Sequence, residues 1–218
     1  MRLRSIPTTF ILDAMTLTEA DVARRRTVML RNVSKLSSRV PAALEKEQRG
    51  LTREVQRRQY ADNDVKALGL LYDYVDRVMA LAKGTVACKH GCSACCHGEV
   101  ALFQPEADLI AAKTGRPAKT LAQERRQGTP YTMTTVPCPF LKNDACSIYA
   151  HRPMVCRTLV HFDTDNTLCQ FEHRHNVTVP MIDRASTFAG VYEAYGVILA
   201  RRVGGAGDIR EFFGDSLD

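Results

Sequence analysis

Residues 88–96 read Cys88-Lys-His-Gly-Cys92-Ser-Ala-Cys95-Cys96, and Cys138, Cys146, Cys156 and Cys169 follow. All eight cysteines of the 218-residue chain lie in this stretch, none before Cys88 and none after Cys169. Thiolate is the preferred ligand of zinc, copper(I) and iron–sulfur clusters, so such crowding reads as ligation rather than core filling. No apolar run approaches the roughly 18 residues needed to cross a bilayer. Phe10-Ile11-Leu12 is bounded by Pro7 and Asp13, which leaves no secretory apolar region. A cytoplasmic, reducing location and no membrane contact are therefore expected, and there clustered thiols are metal ligands or redox groups rather than disulfides.

Geometry limits what the run can do. As one helix, Cys88 and Cys96 would stand about 12 Å apart, too far for one ion with bonds near ~2.3 Å. Either Gly91 breaks the run into a tight loop, or the first and last thiols serve different atoms of a multinuclear site, or two sites exist. A tetrahedral ion uses four ligands and leaves thiols over, which favours more than one metal atom.

Outward from the cysteines the chain reads as helices. Ahead of Cys88, residues 64–83 place Val65, Leu68, Leu71, Tyr72, Val75, Val78, Met79 and Ala82 on one wide apolar face that Gly84 ends. Segment 18–38 opens on Thr18 and Asp21, a capping-box-like pair, with Val22, Met29, Val33 and Leu36 at helical spacing. Pro41 suits the start of a helix to about Tyr60 whose stripe of Leu44, Leu51 and Val55 is thin, so poor burial is expected there. Beyond the run, Val100–Phe103 reads as a short extended piece, Pro105-Glu106 opens a helix that stops at Gly115, and a last helix spans about 180–202. The expected fold is mainly α-helical, with an irregular, metal-stabilised cysteine-rich centre flanked by helices. Two parts are expected: residues 1–62, a basic helical extension, and residues 63–218, a cysteine-cluster metal-binding domain.

The composition, 45% hydrophobic and 25% charged, suits a packed chain and excludes collagen-like and disordered classes. Residues 1–83 carry 16 Lys and Arg against 10 Asp and Glu, and the remainder balances, so the net charge of +6 belongs to the N-terminal part. Arg24-Arg25-Arg26 and Arg57-Arg58 make an acidic partner or nucleic acid a candidate for residues 18–60, and pairing with a second copy of the chain a further one. Against stacking on bases, tryptophan is absent and aromatics are 7%.

The order Cys88-x3-Cys92-x2-Cys95-Cys96, then Pro137-Cys138-Pro139-Phe140-Leu141, then Cys146-Ser-Ile-Tyr149-x2-Arg152-Pro153-x2-Cys156-Arg157 resembles the YkgJ-type cysteine-cluster family of zinc- or iron-chelating domains, over about residues 65–200. The resemblance implies metal binding with Cys88, Cys92, Cys95, Cys96, Cys138, Cys146 and Cys156 as candidate ligands. It leaves the metal open between zinc and iron, an iron–sulfur cluster included. Flagellin lysine methylases are similar in their cysteine motif, but this chain is much shorter and has no Gly-rich nucleotide fingerprint.

Cys169 lies outside that seven-cysteine pattern and is a further candidate ligand, as are His90, His97 and His151 for mixed coordination. Lys89, Lys142, Arg152 and Arg157 adjoin the thiols, where cations stabilise an anionic site; Arg152 and Arg157 are read as standing behind the ligands. Asp163-Thr-Asp165-Asn-Thr167 resembles the start of a calcium loop but lacks the glycine and the closing glutamate, leaving Asp163 only as an oxygen donor to iron. No catalytic residue can be named. Three functions follow: a protein holding zinc or iron, an iron-dependent or iron–sulfur enzyme acting on a protein or peptide, and a zinc-stapled interaction module.

Overall fold

The structure, a computed structural model, describes residues 17–57, 60, 63–89, 91–122, 136–170, 173, 182–201 and 204–214. It is mainly α-helical. Helix α1 (Glu19–Arg39) starts where its capping signal lies, with Thr18 Oγ1 accepting from the Asp21 amide and the Asp21 carboxylate accepting from the Thr18 amide. The span read as one helix to Tyr60 is two, α2 (Ala42–Gln48) and α3 (Leu51–Val55). Gly50 weakens the helix at that point, and the Gln48 side chain donates to Tyr74 Oη and the Thr187 carbonyl and accepts from the Gly190 amide. A Cβ at Gly190 would stand 2.4 Å from the Gln48 carbonyl oxygen, so only glycine permits this approach.

Helix α4 (Asp64–Ala80) has the predicted wide face: Ala67, Leu68, Leu71, Tyr72, Tyr74, Val75 and Val78 are buried, while Val65 is exposed. Strand β1 (Ala101–Phe103) leads into α5 (Gln104–Thr114), which ends at the left-handed Gly115. A two-residue Asn143-Asp144 turn, both at positive φ, joins β2 (Leu141–Lys142) to β3 (Ala145–Cys146). Helix α6 (Met154–Thr158) follows, then α7 (Arg184–Thr187) and α8 (Ala189–Leu199), which replace the single last helix, the backbone leaving the helical region at Phe188 (φ −121°, ψ 31°); residues 174–181 lie outside those described. The chain then returns in β4 (Ala206–Asp208), antiparallel to β1 with Leu102 opposite Gly207, and closes in α9 (Ile209–Phe213).

Two apolar cores result. The larger joins α1, α3, α4 and α8. The expectation that the helices between 18 and 60 bury poorly is corrected: Met29, Leu36, Leu51 and Val55 are at most 2% exposed within it. A narrow stripe suffices because α8 packs on α3 and these residues join the larger core, and Asn32 adds a buried bond from its side-chain amide to the Phe162 carbonyl (2.9 Å). The smaller core comprises residues of β1, α5 and α9 with Cys138, Phe140 and Ile148, and Cys96, Cys146 and Cys156 pack against it. Phe140 meets Phe213 edge-on at 4.9 Å. Among the described residues no helix is long and apolar enough to cross a membrane.

Arg25 on α1 ties the loop after Cys156, reaching Asp163 (2.7 Å) and Asp165 (2.9 Å). Its hydrogen bond holds the Asp165 carboxyl below the usual carboxylate range. Such a pair contributes stability above the ordinary carboxylate value of about 4 and loses it as pH falls below that. Because Asp165 is half exposed, Asp165→Asn should cost under about 1 kcal/mol at pH 7 and less at pH 3, read from urea midpoints.

Candidate metal centre

The cysteine run is a tight loop rather than a helix. Gly91 takes φ 83°, a left-handed turn that favours glycine, and the Cys92 amide donates back to the Lys89 carbonyl (3.0 Å). A short 3₁₀ helix, Ala94–His97, then carries Cys95 and Cys96. Cys88 sits where the chain leaves α4, pinned by Ala87 N–H to the His161 carbonyl (2.8 Å) and by His161 N–H to Cys88 Sγ (3.2 Å). Cys138 is drawn in by its own amide, which donates to the Cys96 carbonyl (2.8 Å). Cys146 comes from β3 and Cys156 from α6.

These seven thiols line two adjoining cavities. The larger, about 590 Å³, is walled by Cys88, Cys92, Cys95, Cys96, Cys146 and Cys156. The smaller, about 40 Å³, is walled by Cys95, Cys96, Cys138, Cys146 and Cys156. All are free cysteines. The thiols surround the cavities without closing on one point: among the described residues, no three Cys, His, Asp or Glu groups are set as the ligands of a single ion.

Cys169 sits in a separate 3₁₀ turn, Thr167–Cys169, and lines neither cavity; nor do His97 or His151. His90 lies outside the described residues. Asp163 is buried and engaged by Arg25, away from both cavities. Buried His161 has Nε2 3.9 Å from Asp163, with no hydrogen-bond partner among the described residues.

The thiols raise one another's pKa. Cys96 is pushed up first by its hydrogen bond with Cys95 and next by burial. Burial is the leading cause at Cys88, Cys146 and Cys156, with neighbouring cysteines adding to each, and it lifts Cys138 to about 11. Thiolates this close cannot all ionise without added positive charge, so the donor set fits a soft or borderline cation that supplies it.

Arginines fix the thiol-bearing segments. Arg157, 2% exposed, donates from Nε to the Arg152 carbonyl (2.8 Å), bonds the Ala150 carbonyl (2.6 Å) and Asp76 on α4, and stacks over Tyr72 at 4.1 Å. Arg152 reaches Asp76 (3.3 Å) and stacks over Tyr149. Together they brace the Cys146–Cys156 segment against α4.

Sequence reasoning passed over two further residues. Arg210 on α9 donates to the carbonyls of Val136 (2.7 Å), Cys96 (3.0 Å) and Gly98 (3.2 Å), so one guanidinium clamps the Cys95-Cys96 turn to the segment entering Cys138. Glu106 on α5 accepts from Tyr72 Oη (2.6 Å) and from the Met154 amide (2.8 Å) that opens the Cys156 helix. The Asp208-Ile-Arg-Glu211 capping box marks α9 in the sequence and was the available signal for Arg210. Arg210→Ala should lower metal affinity 10- to 100-fold, roughly the range for residues that orient ligands. Arg210→Lys should recover little, because a single ammonium cannot span three carbonyls; competition with a colorimetric chelator measures both.

A helical frame thus presents a seven-thiol wall with the donor chemistry of a cysteine-cluster metal-binding domain. Residues 87–180 match the CxxCxxCC family, described as "Putative zinc- or iron-chelating domain". No curated protein and no solved structure matches the chain.

Proposed function

We propose that the protein holds zinc or iron through Cys88, Cys92, Cys95, Cys96, Cys138, Cys146 and Cys156, in a site of more than one metal atom. The observation that carries this reading is the partition of the thiols between two adjoining cavities. Cys95, Cys96, Cys146 and Cys156 border both, Cys88 and Cys92 only the larger, and Cys138 only the smaller. A single tetrahedral ion takes four ligands, whereas thiols on a common border suit atoms that share them. Bound zinc or iron supplies the positive charge that keeps buried thiols ionised. Arg152 and Arg157 then hold the ligand segments in place from behind.

Anaerobic purification followed by metal analysis, acid-labile sulfide determination and a visible spectrum tests this. More than one zinc or iron per chain is the expected result. One ion per chain, or none after reconstitution with either metal, overturns it. Sulfide with a brown chromophore selects an iron–sulfur cluster over separate ions.

A further inference from the structure

The larger cavity is lined by more than thiols. Its residues include Met79 and Ala80 of α4, Val86 and Val160, together with Lys83 and Lys89 at the exposed rim. Its volume of about 590 Å³ falls within the range of small-molecule pockets, roughly 300–1,000 Å³. One carboxylate, Asp76, lines it, and Arg152 and Arg157 engage that group. Lys83 and Lys89 carry no ion pair among the described residues, so the rim holds surplus positive charge while the cavity's thiols are protonated or their charge is offset by bound metal. Such a mouth disfavours a bare metal cation and concentrates anions.

We propose that this cleft receives a small organic oxyanion, a polycarboxylate in chemical class, held by Lys83 and Lys89 at the rim with its body against Met79, Ala80, Val86 and Val160. The proposal rests on the reading of that cysteine wall as a metal centre. The same anion chemistry has two sources: a free organic acid bound beside the resident metal, or an anionic metal chelate arriving to load it.

Citrate is the probe. Equilibrium dialysis of the metal-loaded full chain with labelled citrate at low ionic strength tests the first source. The rate of loading of metal-free protein from zinc citrate, against zinc sulfate at equal free zinc, tests the second. Saturable citrate binding, or faster loading from the chelate, is expected in at least one arm. That effect should fall about tenfold in Lys83→Glu and survive in Lys83→Arg, with the final metal-to-protein ratio unchanged in both. No citrate effect in either arm, or an effect that Lys83→Glu leaves intact, overturns the proposal. Failure of the metal centre itself would show separately, as wild-type protein that retains no metal.

Discussion

Cys95→Ser and Cys156→Ser should each leave the purified protein with less than half the wild-type metal content, whereas Cys169→Ser should keep all of it. Cys95 and Cys156 border both cavities, so in the proposed site either change removes a donor that every metal atom could use. Serine keeps the size but offers a hydroxyl, a poor donor to zinc or iron beside the remaining thiolates. Cys169 sits in its own turn away from both cavities. Metal-to-protein ratios after identical reconstitution decide the ranking, and metal loss from Cys169→Ser equal to that from Cys95→Ser would defeat it. Cys156 is the more demanding case, because its burial means that the variant leaves a hydroxyl to satisfy as well as a ligand to replace. Circular dichroism on the same samples separates lost metal from lost fold.

The second large effect belongs to Glu106. Glu106→Ala should destabilise the protein by roughly 3–5 kcal/mol, because the Tyr72 hydroxyl and the Met154 amide lose their acceptor inside the core and a void opens between α4, α5 and α6. Glu106→Gln keeps an oxygen at the same place and should cost far less. Burial raises the pKa of this carboxyl against the hydrogen bonds that lower it. A carboxyl raised on folding contributes its full stability below its ordinary value of about 4.3, and ionisation erodes that stability as pH rises. The glutamine variant carries no such penalty, so its deficit should shrink from pH 4 to pH 7. Denaturant titrations at the two pH values measure it, and a deficit that widens instead would show that the carboxylate is held charged.

The contrast between these residues shows what the sequence made legible. Local signals were readable: the Thr18 and Asp21 capping pair, the apolar face of α4, and Pro105 and Gly115 around α5; the break at Gly91 was one of three alternatives that the cysteine run left open. The seven thiols that line the cavities were readable as a group because cysteines carry their own chemistry and spacing. Breaks at Gly50 and Phe188 were not, since a single Gly or Phe is tolerated inside a helix, and the approach of Gln48 to Gly190 beside the two breaks pairs residues far apart in sequence. The pairing of β1 with β4 was equally hidden, because three-residue strands have almost no pattern and their partners lie a hundred residues apart. Glu106 read as a helix opener, and Arg210 drew no reading. Only the third dimension brings to them the amide of Met154 and the carbonyls of Cys96 and Gly98.

Arg210 and β4 also make the centre sensitive to proteolysis at a distance. All seven thiols that line the cavities precede residue 157, yet the clamp on two of the thiol-bearing turns comes from beyond Gly204, where the Val100 amide meets the Asp208 carboxylate and the Ile209 amide meets the Val100 carbonyl. A chain cut ahead of Gly204 would keep all its thiols and most of the larger core, but the Cys96 and Cys138 segments would no longer be fastened together. Clipping there is therefore a route to metal release that leaves the cysteines untouched. Intact and clipped molecules should differ in metal content while remaining similarly helical.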